Sequence, residues 1–322
     1  MDRLLIILSD GKYHSGEDLG KELGISRSAV WKQVKKISAL GVLLESKKGC
    51  GYRISGGLEL LDSGLIQQQL SVAVKPLLSN MQILSTVSST NMLARQHAEQ
   101  GNASGWVVLA EEQTNGRGRR GKSWVSPYGC NLYLSLVWGF DGGVKEIEGL
   151  SLAVAVVVLR GLRLSGVEGL SLKWPNDLLY QNKKIGGILL EVVGDPSGYC
   201  QVVIGVGINI NMSEQPSRSI GQAWGNVGEL SDSKIGRNQL AGVMIDQLLL
   251  LLSKYKKIGF VGYKEEWLQH DTFMDKRVKL LMMNNSVEGI VRGIDDSGAL
   301  ILEVDGAVKI FSGGEISLRG FE

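Results

Sequence analysis

The run Gly116-Arg117-Gly118-Arg119-Arg120-Gly121 constrains this chain more than any other feature. Its glycine spacing matches G-x-G-x-x-G. A true dinucleotide fingerprint would demand a doubly wound parallel sheet, with a strand running into the first glycine and a helix leaving the last. The flanks supply neither. The apolar strand Trp106–Ala110 stops short, and the polar stretch Glu111 to Asn115 intervenes. After Gly121 come Trp124, Pro127 and Gly129, then Leu132, Leu134 and Leu136 at strand spacing. Arginines in the variable positions suit a cationic clamp, because guanidinium forks match carboxylate and phosphate oxygens. Three glycines make such a loop costly to order. The residues therefore predict a loop that is mobile when empty and closes over an anion. They also admit a basic surface loop that touches RNA.

With the dinucleotide fold set aside, the remaining periodicity decides the class. Thr90-Asn91 opens a helix that ends before Gly101, and Val202–Ile210 reads as a strand interrupted by glycines. Ile147–Leu164 and Gln239–Lys257 read as long apolar helices. Helices and strands mix without regular βαβ alternation, so the middle region is expected to be α+β with a largely antiparallel sheet. The tail changes character. Arg277–Met282, Val287–Ile294, Ala299–Val304 and Val308–Ile316 are short strands, and Asp305-Gly306 is a hairpin signal. They predict a small SH3-like β-barrel. A chain of 322 residues has room for two or three domains of roughly 100–200 residues. The expected boundaries are 1–62, 63–270 and 271–322.

The N-terminal unit carries its own signature. Leu4, Leu5, Ile7 and Leu8 make one apolar helix face. Ser15-Gly16-Glu17-Asp18 is a capping-box pattern before a helix that stops at Gly24. Ser26 caps a second helix with Val30, Val34, Ile37 and Leu40 at helical spacing. A hairpin follows, with Lys47 and Lys48 near its tip and Gly56-Gly57 as a linker behind it. This is the order of a winged helix-turn-helix. Ser26 to Arg53 holds seven Lys/Arg against Glu45, a local net of +6 in a chain whose total is +2. The surplus is the footprint of a nucleic-acid contact, with Arg27, Ser28, Lys32 and Lys36 on the outer face of the second helix. A basic solvated helix in an interaction domain is the alternative.

The remaining composition excludes several classes. Cys50, Cys130 and Cys200 are far apart and form no C-x-x-C pair, which argues against a disulfide framework or cysteine zinc site and fits a reducing cytosol. The longest apolar stretches, Leu152–Leu159 and Leu248–Leu252, fall short of the roughly 20 residues that span a bilayer. No signal-peptide pattern follows Met1. A cytoplasmic location and no membrane partner are therefore expected. His14, His97 and His270 make no metal motif, and no Ser-His-Asp or Cys-His grouping stands out.

Two further motifs carry chemistry. Lys173-Trp174-Pro175-Asn176-Asp177-Leu178 precedes Lys183-Lys184-Ile185-Gly186-Gly187, where a lysine lies before a strand that glycines let close to its neighbour. An exposed lysine pair is otherwise simply solvated. Gly205-Val206-Gly207-Ile208-Asn209 implies a bulge or a ligand lying against the backbone. With Ser89-Thr90-Asn91 and the arginine loop, these motifs stand in the order and context found in biotin–protein ligases. With the N-terminal head, the chain resembles the bifunctional bacterial branch of that family, which also represses the biotin operon. The resemblance spans nearly the whole chain.

The resemblance implies a class II synthetase-like central domain that uses ATP, biotin and Mg²⁺ to make biotinyl-5′-AMP. It implies transfer of biotin to a lysine of a biotin carboxyl carrier protein, operator DNA as a second partner, and a homodimer when adenylate is bound. It assigns Ser89, Thr90, Asn91, Gln113, Arg117, Gly118, Arg119 and Lys184 to biotin or its adenylate. Lys173, Asn176, Asp177 and Asn209 fall on the nucleotide side, and Trp224 on a loop that stacks on adenine. Thr90 is also readable as a plain helix N-cap. Because both reactants of the first step are anions, Lys184, Arg119 and Mg²⁺ would offset their repulsion. Asp177 would accept a proton from the acceptor amine or orient its neighbours. One departure concerns the wing, whose tip carries Cys50 where a basic residue is usual. Two other readings remain: a non-catalytic sensor coupled to the head, and a lipoate or octanoate ligase on the same scaffold.

Overall fold

The computed structural model describes residues 2–213, 220–230, 235–282, 285–313 and 317–320. The head comprises helices α1 (Asp2–Leu8), α2 (Gly16–Leu23) and α3 (Arg27–Ala39), then the hairpin β1 (Leu44–Lys47) and β2 (Gly51–Ile54). Ser15 caps α2, its Oγ accepting from the Asp18 amide at 3.0 Å. Asp18 does not reach back to the backbone as expected of a capping box; its carboxylate accepts the Ser15 hydroxyl at 2.7 Å. Gly24 ends α2 at φ 65, a left-handed geometry that costs a glycine little. Leu4, Leu5, Leu8, Leu19, Val30, Val34, Ile37 and Ile54 close a separate apolar core, joined by Tyr128 from the central region.

The central region follows α4 (Ser63–Gln68) with β3 (Asn80–Val87), α5 (Thr90–Gln100), β4 (Trp106–Gln113), β5 (Leu132–Phe140), α6 (Leu150–Leu164), β6 (Leu170–Lys173), β7 (Asp177–Tyr180), β8 (Lys183–Gly194), β9 (Cys200–Ile208), α7 (Arg237–Ile258) and α8 (Val261–Gln269). The sheet order is β3-β4-β5-β9-β8-β7-β6. The β3–β4 pair is parallel and the other pairs are antiparallel, matching the expected class. Side chains alternate across the sheet. Val108, Val137 and Val203 face α5 through Ala94 and Ala98, while Leu109, Leu136 and Ile204 face the main core with α6 and α7. Several expected boundaries move, the helix read as Gln239–Lys257 running Arg237–Ile258. The strand read as Trp106–Ala110 runs on to Gln113, because pairing with β3 continues to Val87–Gln113. The helix read from Ile147 begins at Leu150, after a short 3-10 turn. The strand read as Val202–Ile210 spans Cys200–Ile208 and is unbroken, with continuous register to both β5 and β8 despite its glycines.

The tail forms β10 (Arg277–Leu281), β11 (Ser286–Ile294), β12 (Leu300–Val304), β13 (Ala307–Phe311) and β14 (Ser317–Gly320), an antiparallel sheet ordered β13-β12-β11-β10-β14. Asp305 and Gly306, at φ 53 and 76, form its predicted hairpin turn. The stretch expected as one strand, Val308–Ile316, ends at Phe311, and its residues 314–316 lie outside the described residues. Val278, Leu280, Leu302 and Leu318 belong to the same apolar cluster as α6 and α7, so the tail completes the central core.

The linker between head and sheet is fixed by charge. The Glu59 carboxylate accepts the amides of Arg237 and Asn238 at 2.8 and 3.0 Å, capping α7 where its dipole is positive. Arg237 in turn pairs with Glu111 of β4 at 2.7 Å, both side chains 5% exposed.

Candidate active site

The site lies across the end of the central sheet where β7, β8 and β9 meet the arginine loop. Its chemistry depends on one irregularity. Between β7 and β8 the register shifts, Leu178 facing Gly186 but Leu179 facing Lys184, so Ile185 is an extra residue. A one-residue insertion reverses which face a side chain occupies. Lys184 thereby joins the face of Asp177, and its Nζ lies 2.5 Å from Asp177 Oδ1, with both side chains under one-fifth exposed. Lys184 therefore sits within β8, not before it as the sequence suggested. Its backbone also pairs with Ala223–Gly225, donating to Ala223 O and accepting from Gly225, each at 3.0 Å. That pairing carries Trp224 to the site wall.

A cavity of about 480 Å³ is lined by Gly118, Arg119, Lys173, Asn176, Asp177, Lys184, Asn209 and Trp224, together with Trp124 and Gly187. Arg119 donates to Asn176 Oδ1 at 3.2 Å, and Asn176 is itself held by Ile188 of β8. Asn209 donates to Gly225 O at 3.3 Å and accepts at its own carbonyl from Val227, fixing the stretch around Trp224.

The other expected residues gather next door. Ser89, Thr90, Asn91, Gln113 and Arg117 line a second, smaller cavity of about 40 Å³, along with Tyr133, Gly205 and Gly207. Ser89, not Thr90, is the N-cap of α5, its Oγ facing the Met92 amide. Thr90 instead points inward. Its amide and hydroxyl donate to Gln113 Oε1 at 2.9 and 3.1 Å, and the Ser135 hydroxyl donates to Asn91 Oδ1 at 2.6 Å while its oxygen lies 2.8 Å from Thr90 Oγ1. Burial pushes the Tyr133 phenol well above its ordinary range, so it stays protonated and donates to Pro127 O at 2.9 Å.

Trp124 and Gly187 line both cavities, so the two are halves of one site. The Trp124 indole fills the space that side chains would take at Gly187 and Gly207: a Cβ on Gly207 would lie 2.7 Å from the ring, and one on Gly187 3.2 Å. A Cβ on Gly205 would meet Asn91 Oδ1 at 2.2 Å. The β9 glycines thus make room for side chains of the site; of the two readings the sequence offered, a bulge or a ligand lying against the backbone, the continuous register excludes the bulge. Lys184 Nζ lies 5.4 Å from the Trp124 ring centroid, within cation–π reach.

The arginine loop is a folded hairpin: Gly118 donates to Lys122 O at 2.7 Å, Trp124 donates to Gly116 O at 2.8 Å, and Arg119–Gly121 make a 3-10 turn. The next element after Gly121 is the strand β5, not a helix, in keeping with rejection of the dinucleotide reading. Arg117 pairs with Glu191 of β8 at 3.2 Å, and Glu191 also accepts from Asn91 at 2.9 Å. Sequence reasoning missed Glu191, Ser135 and Trp124. The signal for Trp124 lay in the glycines opposite it; Glu191 and Ser135 carry no local pattern. Arg27, Ser28, Lys32 and Lys36 are all exposed on α3 of the head, apart from this site.

Cys50, Cys130 and Cys200 are free, and burial pushes the Cys130 and Cys200 thiols up, away from the nucleophilic thiolate. Among the described residues no group of three or more His, Cys, Asp or Glu could hold a metal ion, and no helix is long and apolar enough to cross a membrane.

A head of helix-turn-helix type joined to a sheet whose cavity is lined by Arg119, Lys173 and Lys184 defines a ligand-activating enzyme with a DNA-binding module. Comparison with known proteins narrows this. Residues 83–209 match the biotin/lipoate A/B protein ligase family, residues 1–53 an HTH domain, and residues 273–319 the biotin protein ligase C terminal domain. The bifunctional ligase/repressor BirA of Salmonella typhimurium is 39% identical over 99% of this chain and 97% of its own length. That of Escherichia coli is 38% identical with the same coverage. Among solved structures, a biotin protein ligase from Aquifex aeolicus in complex with biotin and ATP superposes with a TM-score of 0.65 at 28% identity, covering 76% of this chain and all of that one. The chain belongs to the bifunctional ligase/repressor family of biotin protein ligases.

Proposed function

We propose that the paired cavities make and hold biotinyl-5′-AMP, and that the chain then passes biotin to a lysine of a biotin carboxyl carrier protein. The observation that carries this reading is the wall shared through Trp124 and Gly187, which joins a small, hydrogen-bonding compartment to a larger cationic one. The small compartment, with Ser89, Thr90, Asn91, Gln113 and Arg117, takes biotin. The larger one takes ATP, with Lys173, Asn176, Asn209 and Trp224 on the nucleotide.

In the first step a biotin carboxylate oxygen bonds to the α-phosphorus and pyrophosphate leaves. Lys184 and Arg119 offset the repulsion between the two anions and hold the charge that builds at the phosphoryl oxygens. Bound Mg²⁺ would supply further neutralisation of the polyphosphate and would be held largely by the phosphates themselves. In the second step the neutral acceptor amine attacks the acyl carbon and AMP leaves. Asp177 takes the amine's proton or keeps Lys184 oriented, a reading supported by its ion pair with Lys184.

The head, through Arg27, Ser28, Lys32 and Lys36, contacts operator DNA when the adenylate is bound and the chain is dimeric, since helix-turn-helix proteins read paired half-sites. Mixing the protein with ATP, labelled biotin and a carrier domain should label one carrier lysine. Biotin and ATP together, but neither alone, should promote a shift of operator DNA in a gel. Labelling without any DNA shift would leave a plain ligase; a shift without labelling would leave a sensor.

A further inference from the structure

Of the seven tryptophans, Trp31 alone is largely exposed, at 52%. It stands on α3, one residue past Val30. The core-facing residues Val30, Val34 and Ile37 form one stripe. At 100° per residue Trp31 falls off that stripe, onto the arc of Arg27, Ser28 and Lys35, its neighbours at i−4, i−3 and i+4. Lys35 Nζ lies 5.1 Å from the indole centroid. A large flat apolar ring is thus held in water within a segment of net charge +6, with a cation parked over its face.

The charge identifies the occupant of this face as a polyanion, and duplex DNA is the polyanion whose groove also offers an apolar target. In the major groove only thymine presents a methyl group, and apolar side chains read it. We infer that Trp31 reads sequence, its indole meeting a thymine methyl, while Lys35 moves from the ring to an adjoining phosphate. This rests on the reading of α3 as the DNA-contacting helix and extends it: Arg27, Lys32 and Lys36 supply position, and Trp31 supplies choice of base.

The test uses the full-length protein with biotin and ATP and a pool of randomised duplexes, enriched by repeated gel shift. Wild type, Trp31→Ala and Trp31→Phe are selected in parallel, with biotin transfer measured as a check on the ligase half. Wild type should enrich a site with a preferred thymine. Replacing that base by deoxyuridine, which lacks the methyl, should weaken wild-type binding by about fivefold, the lower end of the cost of a mismatched pair. The same replacement should leave Trp31→Ala unchanged, with Trp31→Phe between. Lys35→Ala should weaken all sequences alike and lower the salt slope by about one. The inference is overturned if Trp31→Ala selects the same site with the same deoxyuridine penalty. If wild type enriches no sequence, the reading of α3 itself fails, a separate result.

Discussion

Replacing Lys184 by alanine should strike the first half-reaction hardest. The side chain is under one-fifth exposed, 2.5 Å from Asp177 and 5.4 Å above the Trp124 ring, so it is held in place before any ligand binds. Such preorganisation gives a cation its catalytic value, because no reorganisation is needed when charge develops. Losing one preorganised stabiliser costs about 10²–10³ in rate, or about 3–4 kcal/mol. The alanine variant also leaves Asp177 as an unpaired carboxylate facing the ATP phosphates, which adds repulsion. A Lys184→Ala, Asp177→Asn double variant removes that second penalty and should recover part of the loss. Biotin-dependent exchange of pyrophosphate into ATP measures the step without the carrier protein. Near-normal exchange in Lys184→Ala would refute the role, and a double variant no faster than the single one would refute the account of Asp177.

Arg119→Gly breaks the contact with Asn176 that ties the loop to β8, and adenylate should dissociate about 10–100-fold faster, the range for a hydrogen bond to a charged group; an unchanged off-rate would remove Arg119 from the clamp. Deleting residues 1–56 should abolish DNA binding and leave biotin transfer largely intact, whereas deleting 1–60 also strips Glu59 from the start of α7 and should cost about 1–2 kcal/mol more in thermal unfolding; equal stability of the two truncations would show that the cap contributes nothing. Burial raises the Asp271 carboxyl from 3.8 to about 6. A folded pKa above the unfolded one gives stability that is complete below about pH 4 and is lost as pH rises through about 6. Asp271→Asn should therefore stabilise the chain at pH 7.5, by about 2 kcal/mol for a partly shielded group, and scarcely at pH 4; equal gains at both values would contradict the assignment.

Much of this arrangement was legible because local physics wrote it. Ser26, Gly24 and the Val30–Val34–Ile37 spacing fix α3, and Asp305-Gly306 fixes its hairpin, each through interactions within a few residues. The arginine loop and the Lys184 segment were recognisable as cationic. What escaped depends on partners distant in sequence. The last three residues of β4 are strand because β3 pairs with them. Lys184 meets Asp177 because of a register shift that no spacing rule reveals. Glu191, Ser135 and Trp124 reach the site from three separate segments, and their joint role emerges when β5, β8 and β9 lie side by side. The fixed linker is the same kind of case, since the Arg237–Glu111 pair joins residues 126 apart in the chain.

The central claim is that the joined cavities activate biotin. Pyrophosphate release from ATP by the wild-type protein, measured with biotin and with lipoate or octanoate in parallel, tests it most directly. The account predicts release that depends on biotin and is scarcely stimulated by the other acids. Equal or greater release with lipoate or octanoate would contradict it, and would hand the same cavities to a different acid.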